Sequence, residues 1–499
     1  MACACSTSTF YSPGVIIGNV ALDGSGALFD IELAGSVIVS ITPSGGRGPT
    51  GEEVFDGGGG VALPGFVDSH VHLTQWAAAR RRIDVGPASS AADAVALVYP
   101  YVRTAGESVV RANGFRDAQW PEEPHKDLIE NALPGARVAM TSMDLHTLWL
   151  SPALLADLGI DHPTGVLRDV DGLEAVMALE AMEDPAELDR AVLDATAALA
   201  VRGVTGVVDF EFADNRSVWD RRLSAGSPAV RVDTTVWPQW LDEALGRGDR
   251  TGDVSALSDL IRRGPLKVML DGSLNTRTAC CHDRYPGVDG EDAYGLLLES
   301  RESLFELVAK ASRGGIAAAI HAIGDRANGV ALDAFERAGC GGRIEHAQQI
   351  LPEDIARFAA LGVTASVQPQ HAMSDRDIAE DLWSGRRSVA YGYGSLHRSG
   401  ATLLFGSDAP VSPPEPLAAV AAAVFRTDDD RPPWHLEEAV PLDASLRAAS
   451  GGRGVLRVGD VADIVVLVEH PEHRSADDLA ETEVRATFCA GALTHASAG

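Results

Sequence analysis

Lysine is nearly missing from this chain of 499 residues: Lys126, Lys267 and Lys310 are the three present, and arginine supplies the remaining positive side chains. Positive charge as a whole is in deficit. Lys and Arg total 41 against 71 Asp and Glu, a formal net charge of -30. Nucleic acid and anionic membrane surfaces are polyanions, so this balance argues against both as partners. Cysteine is scarce too. Cys3, Cys5, Cys280, Cys281, Cys340 and Cys489 show no paired CxxC spacing, which argues against a zinc ribbon or a disulfide framework and suits a reducing cytoplasm. No window approaches the ~18 apolar residues of a membrane helix. Residues 1–12 lack a basic, then apolar, leader pattern, so no signal peptide is expected.

What is present is a globular composition with two kinds of pattern. Near the start, Val15 to Ile41 alternates short apolar runs with glycine and aspartate turns, and Ala462 to Val468 and Val484 to Gly491 do the same near the end. These read as antiparallel strands, and neither set has enough core alone. The expectation is one small β-sandwich built from residues 1–60 and 455–499. Between them, apolar runs alternate with helical stretches, the pattern of βαβ units. The runs are Val61 to Val67, Val204 to Phe210, Val230 to Val236, Leu266 to Leu270, Ile316 to Ile320, Arg343 to Glu345, Val363 to Val367 and Thr402 to Phe405. Eight such strands predict an α/β fold, a closed (β/α)8 barrel over 61–454. The first interval is too long for one crossover, so an inserted subdomain is expected at about 75–200.

In such a barrel the reactive side chains gather at the C-terminal strand ends. His70 and His72 follow the first run, and alternation places both on one face with Val71 opposite. His321, His346 and Asp408 close three later runs. One histidine at a strand end is commonly a packed core residue; ligand types at several separate strand ends point to a metal site. Lys267 lies in Leu266-Lys267-Val268-Met269-Leu270-Asp271-Gly272. A buried primary amine sheds its proton readily, and the neutral amine can take up carbon dioxide to become a carbamate able to bridge two ions. Trp76, Trp120, His146, Arg277 and His371 stand where they could shape a pocket for a small-molecule substrate. Each could equally serve packing. Cys280-Cys281 lacks a basic partner and reads as packing rather than as a nucleophile.

The segment Gly65-Phe66-Val67-Asp68-Ser69-His70-Val71-His72 resembles the first-strand motif of the amidohydrolase superfamily. Lys267 to Leu274 with Arg277-Thr278-Ala279, His321 to Ala327, Ile344-Glu345-His346-Ala347, Gln368-Pro369 and Gly406 to Pro410 resemble one branch of it, the predicted metal-dependent hydrolases that include N-substituted formamide deformylases. The resemblance spans nearly the whole chain and includes Leu456 to Leu467. It implies the barrel with its small β domain, and one or two Zn2+ or other divalent ions. Carried onto this chain, it implies His70, His72 and Asp408 around the more buried ion, His321 and His346 around the other, and a carboxylated Lys267 between them. The implied reaction is hydrolysis of a non-peptide C–N bond, such as that of an N-acyl or N-formyl amine. A metal-bound hydroxide would attack, with Asp408 as catalytic proton shuttle. The alternative is a mononuclear deaminase-type enzyme acting on an amino-substituted ring, against which the bridging lysine counts. Two segments depart from the branch pattern: His146 to Pro152, and the compressed stretch after Leu446. A cytoplasmic protein, with a homodimer as the default assembly, completes the expectation.

Overall fold

The computed structural model describes residues 14–45, 53–105, 109–117, 120–143, 147–168, 175, 179, 184–472 and 475–497. Eight parallel strands form the central sheet: β1 (Phe66–Val71), β2 (Val204–Asp209), β3 (Arg231–Val236), β4 (Ile261–Met269), β5 (Ala318–Ala322), β6 (Gly342–His346), β7 (Val363–Val367) and β8 (Leu403–Phe405). Each pairs with the next, β1 with β2 through to β7 with β8. The circle closes where Val71 bridges Ala409 in parallel; Asp408 N donates to His70 O at 2.7 Å and His72 N to Ala409 O at 2.9 Å. The strands are apolar runs because a parallel barrel buries both of their faces.

Helices between the strands supply the outer layer. Asp325–Ala338 follows β5 and shows how the sequence dictates this. Its buried residues Ala327, Val330, Ala331, Ala334 and Phe335 recur every three or four positions and make one inward stripe. Gly339, at φ 63°, ends it, its N–H returning to the carbonyls of Glu336 and Phe335.

One expected strand, Val61 to Val67, is two. Val61–Pro64 pairs antiparallel with Ile464–Leu467, whereas Phe66–Val71 enters the barrel. The remaining terminal strands run, in spatial order, Ala492–Ala496, Val484–Cys489, Ile464–Leu467, Val61–Pro64, Val15–Ala21, Leu28–Ala34 and Val37–Pro43, with Glu53–Asp56 beside Val15–Ala21. They form one mixed sheet over a shared core that includes Ile17, Ile31, Ile38, Ile464, Val466 and Phe488. Strands from both ends of the chain thus complete a single apolar layer.

By contact the chain separates into two compact units, Met1–His72 with Leu193–Gly499, and Leu73–Val192. The latter contains its own five-stranded sheet, in the order Val166–Arg168, Thr147–Leu150, Val138–Ser142, Val110–Phe115, Ile83–Asp84. Val95, Val98, Phe115, Ile129, Met140 and Trp149 are among its core residues.

Barrel closure requires close backbone approach at Gly406. A Cβ there would lie 2.6 Å from His70 N and 2.7 Å from His70 Cβ. Gly406→Ala is expected to destabilise the fold by about 1–3 kcal/mol through overpacking. Urea unfolding measures this; wild-type stability would show that β1 and β8 separate freely.

Candidate metal centre

The ends of β1, β4, β5, β6 and β8 deliver the polar groups to one place. His70 is fully buried and lies at the hub. Its Nε2 is 3.3 Å from Lys267 Nζ and 3.5 Å from Asp408 Oδ1, and its ring centroid is 4.8 Å from that of His346. His72 Nε2 is 3.3 Å from the same Asp408 oxygen. His321 and His346 rings are 4.4 Å apart. The six groups His70, His72, Lys267, His321, His346 and Asp408, drawn from distant points of the sequence, therefore converge.

Strand alternation accounts for His70 and His72 sharing a face, but not for Asp408, which lies beyond β8 at φ 57°, nor for His346. Glu345 points into the barrel, where it meets His70, so the next residue should point outward. The backbone at His346 takes φ 74° and at Ala347 φ 43°. This left-handed bend, costly for residues with a Cβ, turns the His346 ring back inward. Gln368 Oε1, 3.0 Å from His346 Nδ1, then holds it.

The supporting groups were not singled out from the sequence. Glu345, fully buried, accepts from His70 Nδ1 at 2.7 Å and from Arg343 Nε at 2.5 Å. Arg343 also donates to Ser69 O and Ser366 Oγ. Asp68 accepts from Ser407 N and Oγ, tying β1 to the end of β8. Asp271 accepts three backbone N–H groups, from Cys280, Ile323 and Gly324, and so fixes the loops after β4 and β5 to each other. Phe210 lies under the site, its ring 4.2 Å from that of His70 and 4.3 Å from Lys267 Nζ. The available signal was a charged residue inside an apolar strand, which survives there when paired.

Burial sets the electrostatics. It takes the His70 imidazole down to about 4 and His321 to about 3, the Lys267 charge adding to both. Burial, then His321, holds His346 well below its usual range. These rings are neutral near pH 7, the state in which imidazole ligates. Burial lowers Lys267 to about 8, the nearby Glu345 and Asp408 limiting the fall. Burial pushes Asp408 up, but His70 and the hydrogen bond from His72 outweigh it and keep the carboxyl well below normal. Neutral imidazoles beside an ionised carboxylate suit a divalent cation. Ligand atoms of His70, His72 and Asp408 lie within 4.8 Å of one another, as do those of His346, His371 and Asp408. His72 Nδ1 and His371 Nε2 are buried without hydrogen-bond partners. Unpaired buried donors among ligand types fit a site made to hold an ion.

The expected pocket residues are placed variously. His371 sits beside His346, the rings stacked with centroids 6.4 Å apart. Arg277 is exposed, at φ 58°, on the loop after β4. In the unit Leu73–Val192, Trp76 is buried with Arg80 over its ring, and Trp120 packs on Phe115 and Trp149 while its Nε1 donates to Ala88 O. His146 lies outside the described residues. Cys280 and Cys281 are buried, and burial pushes their thiols up to about 11 and about 12, as packing residues require.

A model of the amidohydrolase family matches residues 53–495. The chain is 28% identical over 491 residues to Protein LONG AFTER FAR-RED 3 of Arabidopsis thaliana, covering 87% of this chain and 82% of that one. It is 26% identical over 497 residues to the N-substituted formamide deformylase of Arthrobacter pascens, covering 90% of each. An uncharacterized metal-dependent hydrolase from Pyrococcus horikoshii OT3 has the same fold, with a TM-score of 0.76, 24% identity, and coverage of 93% of this chain and 99% of that one.

Glu345 offers a direct test. Glu345→Gln leaves the half-buried Arg343 guanidinium without its charge partner, expected to cost about 1–3 kcal/mol. It also removes the carboxylate that orients His70, expected to weaken divalent-ion affinity by about 10- to 100-fold. Urea unfolding and metal titration read the two effects separately; wild-type values in both would show that Glu345 is idle.

Proposed function

The chain belongs to the amidohydrolase family, and from that premise we propose that it is a zinc-dependent hydrolase of non-peptide amides, with an N-acyl or N-formyl amine as substrate. The observation that carries this reading is the convergence of four imidazoles and Asp408 on one buried lysine amine. The similarity to N-substituted formamide deformylase supports the choice of bond.

His70, His72 and Asp408 would hold one ion, and His321 and His346 a second. Lys267 would join them as a carbamate: its neutral Nζ forms an N–C bond to carbon dioxide and releases a proton. Bound divalent ions supply Lewis acidity and activate water at neutral pH. Asp408 accepts the proton of the attacking water at its carboxylate and passes it to the departing nitrogen. That delivery is required because an amide anion is a poor leaving group. Glu345 keeps His70 oriented while this happens. Arg277, exposed on the loop after β4, is proposed as a substrate contact. Among the described residues no helix is long and apolar enough to cross a membrane, and Cys280, Cys281, Cys340 and Cys489 are unpaired. Free thiols support a cytoplasmic setting, and a homodimer is the proposed assembly.

Metal analysis paired with a screen of N-formyl and N-acyl amines tests the whole reading. Two ions per chain and amine release are expected; a metal-free, inert protein overturns it. Lys267→Ala is expected to lose zinc and activity and to regain activity with a short carboxylic acid, whereas full zinc and activity without it would remove the bridging role. Asp408→Asn should lower turnover by about 10²- to 10⁴-fold with the fold intact; unchanged turnover refutes the proton transfer.

The amine also sets a pH dependence. With Lys267 lowered to about 8, its neutral fraction grows as pH rises through that value. At fixed dissolved carbon dioxide, metal-free protein should therefore reconstitute faster with zinc as pH goes from about 7 to about 9. A rate indifferent to both pH and carbon dioxide would exclude carbamate formation.

A further inference from the structure

His371 has no part in the ligand set carried over from the family, yet the fold seats it among the ligands. It lies on the helix Pro369–Ser374, which begins directly after β7. It is 6% exposed, and its Nε2 is sealed from solvent with no hydrogen-bond partner. A ring nitrogen left unpaired in the interior loses its water contacts and gains nothing in exchange. A group from outside the polypeptide would complete it.

The geometry says what that is. His371, His346 and Asp408 each offer a ligand atom, all within 4.8 Å of one another. The His70, His72 and Asp408 group falls within the same bound, and the two groups share Asp408. Gln368 positions both histidines of the second group. Its Oε1 meets His346 Nδ1 at 3.0 Å, and its backbone carbonyl accepts from His371 N at 3.0 Å and from Tyr393 Oη at 3.0 Å. The His346 and His371 rings lie within 8° of parallel. Asp375 N caps the same turn on His371 O at 2.8 Å, and the Asp375 carboxylate is anchored by Tyr391 Oη at 2.7 Å. The helix is thus clamped at both ends with His371 facing its neighbours.

We propose that His371 is a protein ligand of the second divalent ion, alongside His346 and Asp408, so that the segment after β7 belongs to the metal centre. The inference rests on the metal-site reading above and deepens it. A substrate contact would need a face open to the mouth; a sealed nitrogen beside two other ligand groups serves an ion. Imidazole and carboxylate donors suit zinc, or cobalt as its spectroscopic substitute.

The test uses the full chain, metal-free, in wild-type form and as His371→Ala and the more conservative His371→Gln. Zinc is titrated in competition with a chromophoric chelator, and the visible spectrum of the cobalt-loaded protein is recorded. Wild-type protein should bind two ions. In both variants the weaker ion should bind at least about tenfold less tightly, with the tighter ion unaffected and the cobalt bands altered. Circular dichroism of the metal-free forms checks that both variants fold, and Gln keeps the result readable if Ala does not. Two zinc ions bound with wild-type affinities and an unchanged cobalt spectrum in the folded variants overturn this inference alone. A wild-type protein that binds no zinc or cobalt overturns the metal-site reading together with it.

Discussion

The contact between Glu345 and His70 is the constraint around which the site is organised. It crosses the barrel interior from β6 to β1 at 2.7 Å, with both partners removed from water. A buried carboxylate is costly unless it is paired. Arg343 supplies the charge from two residues away on the same strand and reaches onward to Ser69 and Ser366. With Glu345 engaged, His70 Nδ1 is committed and its Nε2 faces Lys267 and Asp408. The orientation of the central imidazole is therefore set by a charge network below the site.

That network also explains how an amine can reside at the centre. Lys267 is 1% exposed, with an aromatic ring 4.3 Å from its nitrogen and a carboxylate at hand, yet burial still lowers it to about 8. Its neighbours His70, His321 and His346 are neutral for the same reason. Desolvation keeps these three rings neutral and weakens the hold of the amine on its proton, so that ligand atoms face one another. Such a cluster is poorly satisfied alone and well satisfied by a cation.

Much of this was legible in the sequence. Val363–Val367 was read with its bounds as they stand, and β2, β3 and β8 to within a residue at one end, because apolar runs between turn residues are unambiguous in a buried parallel sheet. His70, His72, His321, His346 and Asp408 were nameable because they follow or close such runs, and Lys267 because it is a rare lysine inside one. The split of Val61 to Val67 was not legible, since both halves are apolar and Gly65 alone separates two sheets. The inward turn of His346 was hidden as well: alternation predicts the opposite face, and a left-handed bend at a residue with a Cβ leaves no mark in composition. Glu345 stood in a motif, but its partner is 275 residues away, a distance that no local pattern spans. Segment 144–146, with His146, and most of 169–183 lie outside the described residues.

The seam at Val71 and Ala409 has a consequence for biosynthesis. Asp68 and Ser407, which lock it, are separated by 339 residues. Pairing so remote in sequence is slow to form and comes late in folding. While the ribosome is still making the middle of the polypeptide, His70 has neither its eighth-strand neighbour nor the Asp408 carboxylate. A nascent or truncated product therefore lacks the finished side-chain cluster, which exists only in chains whose last barrel strand has been laid in place.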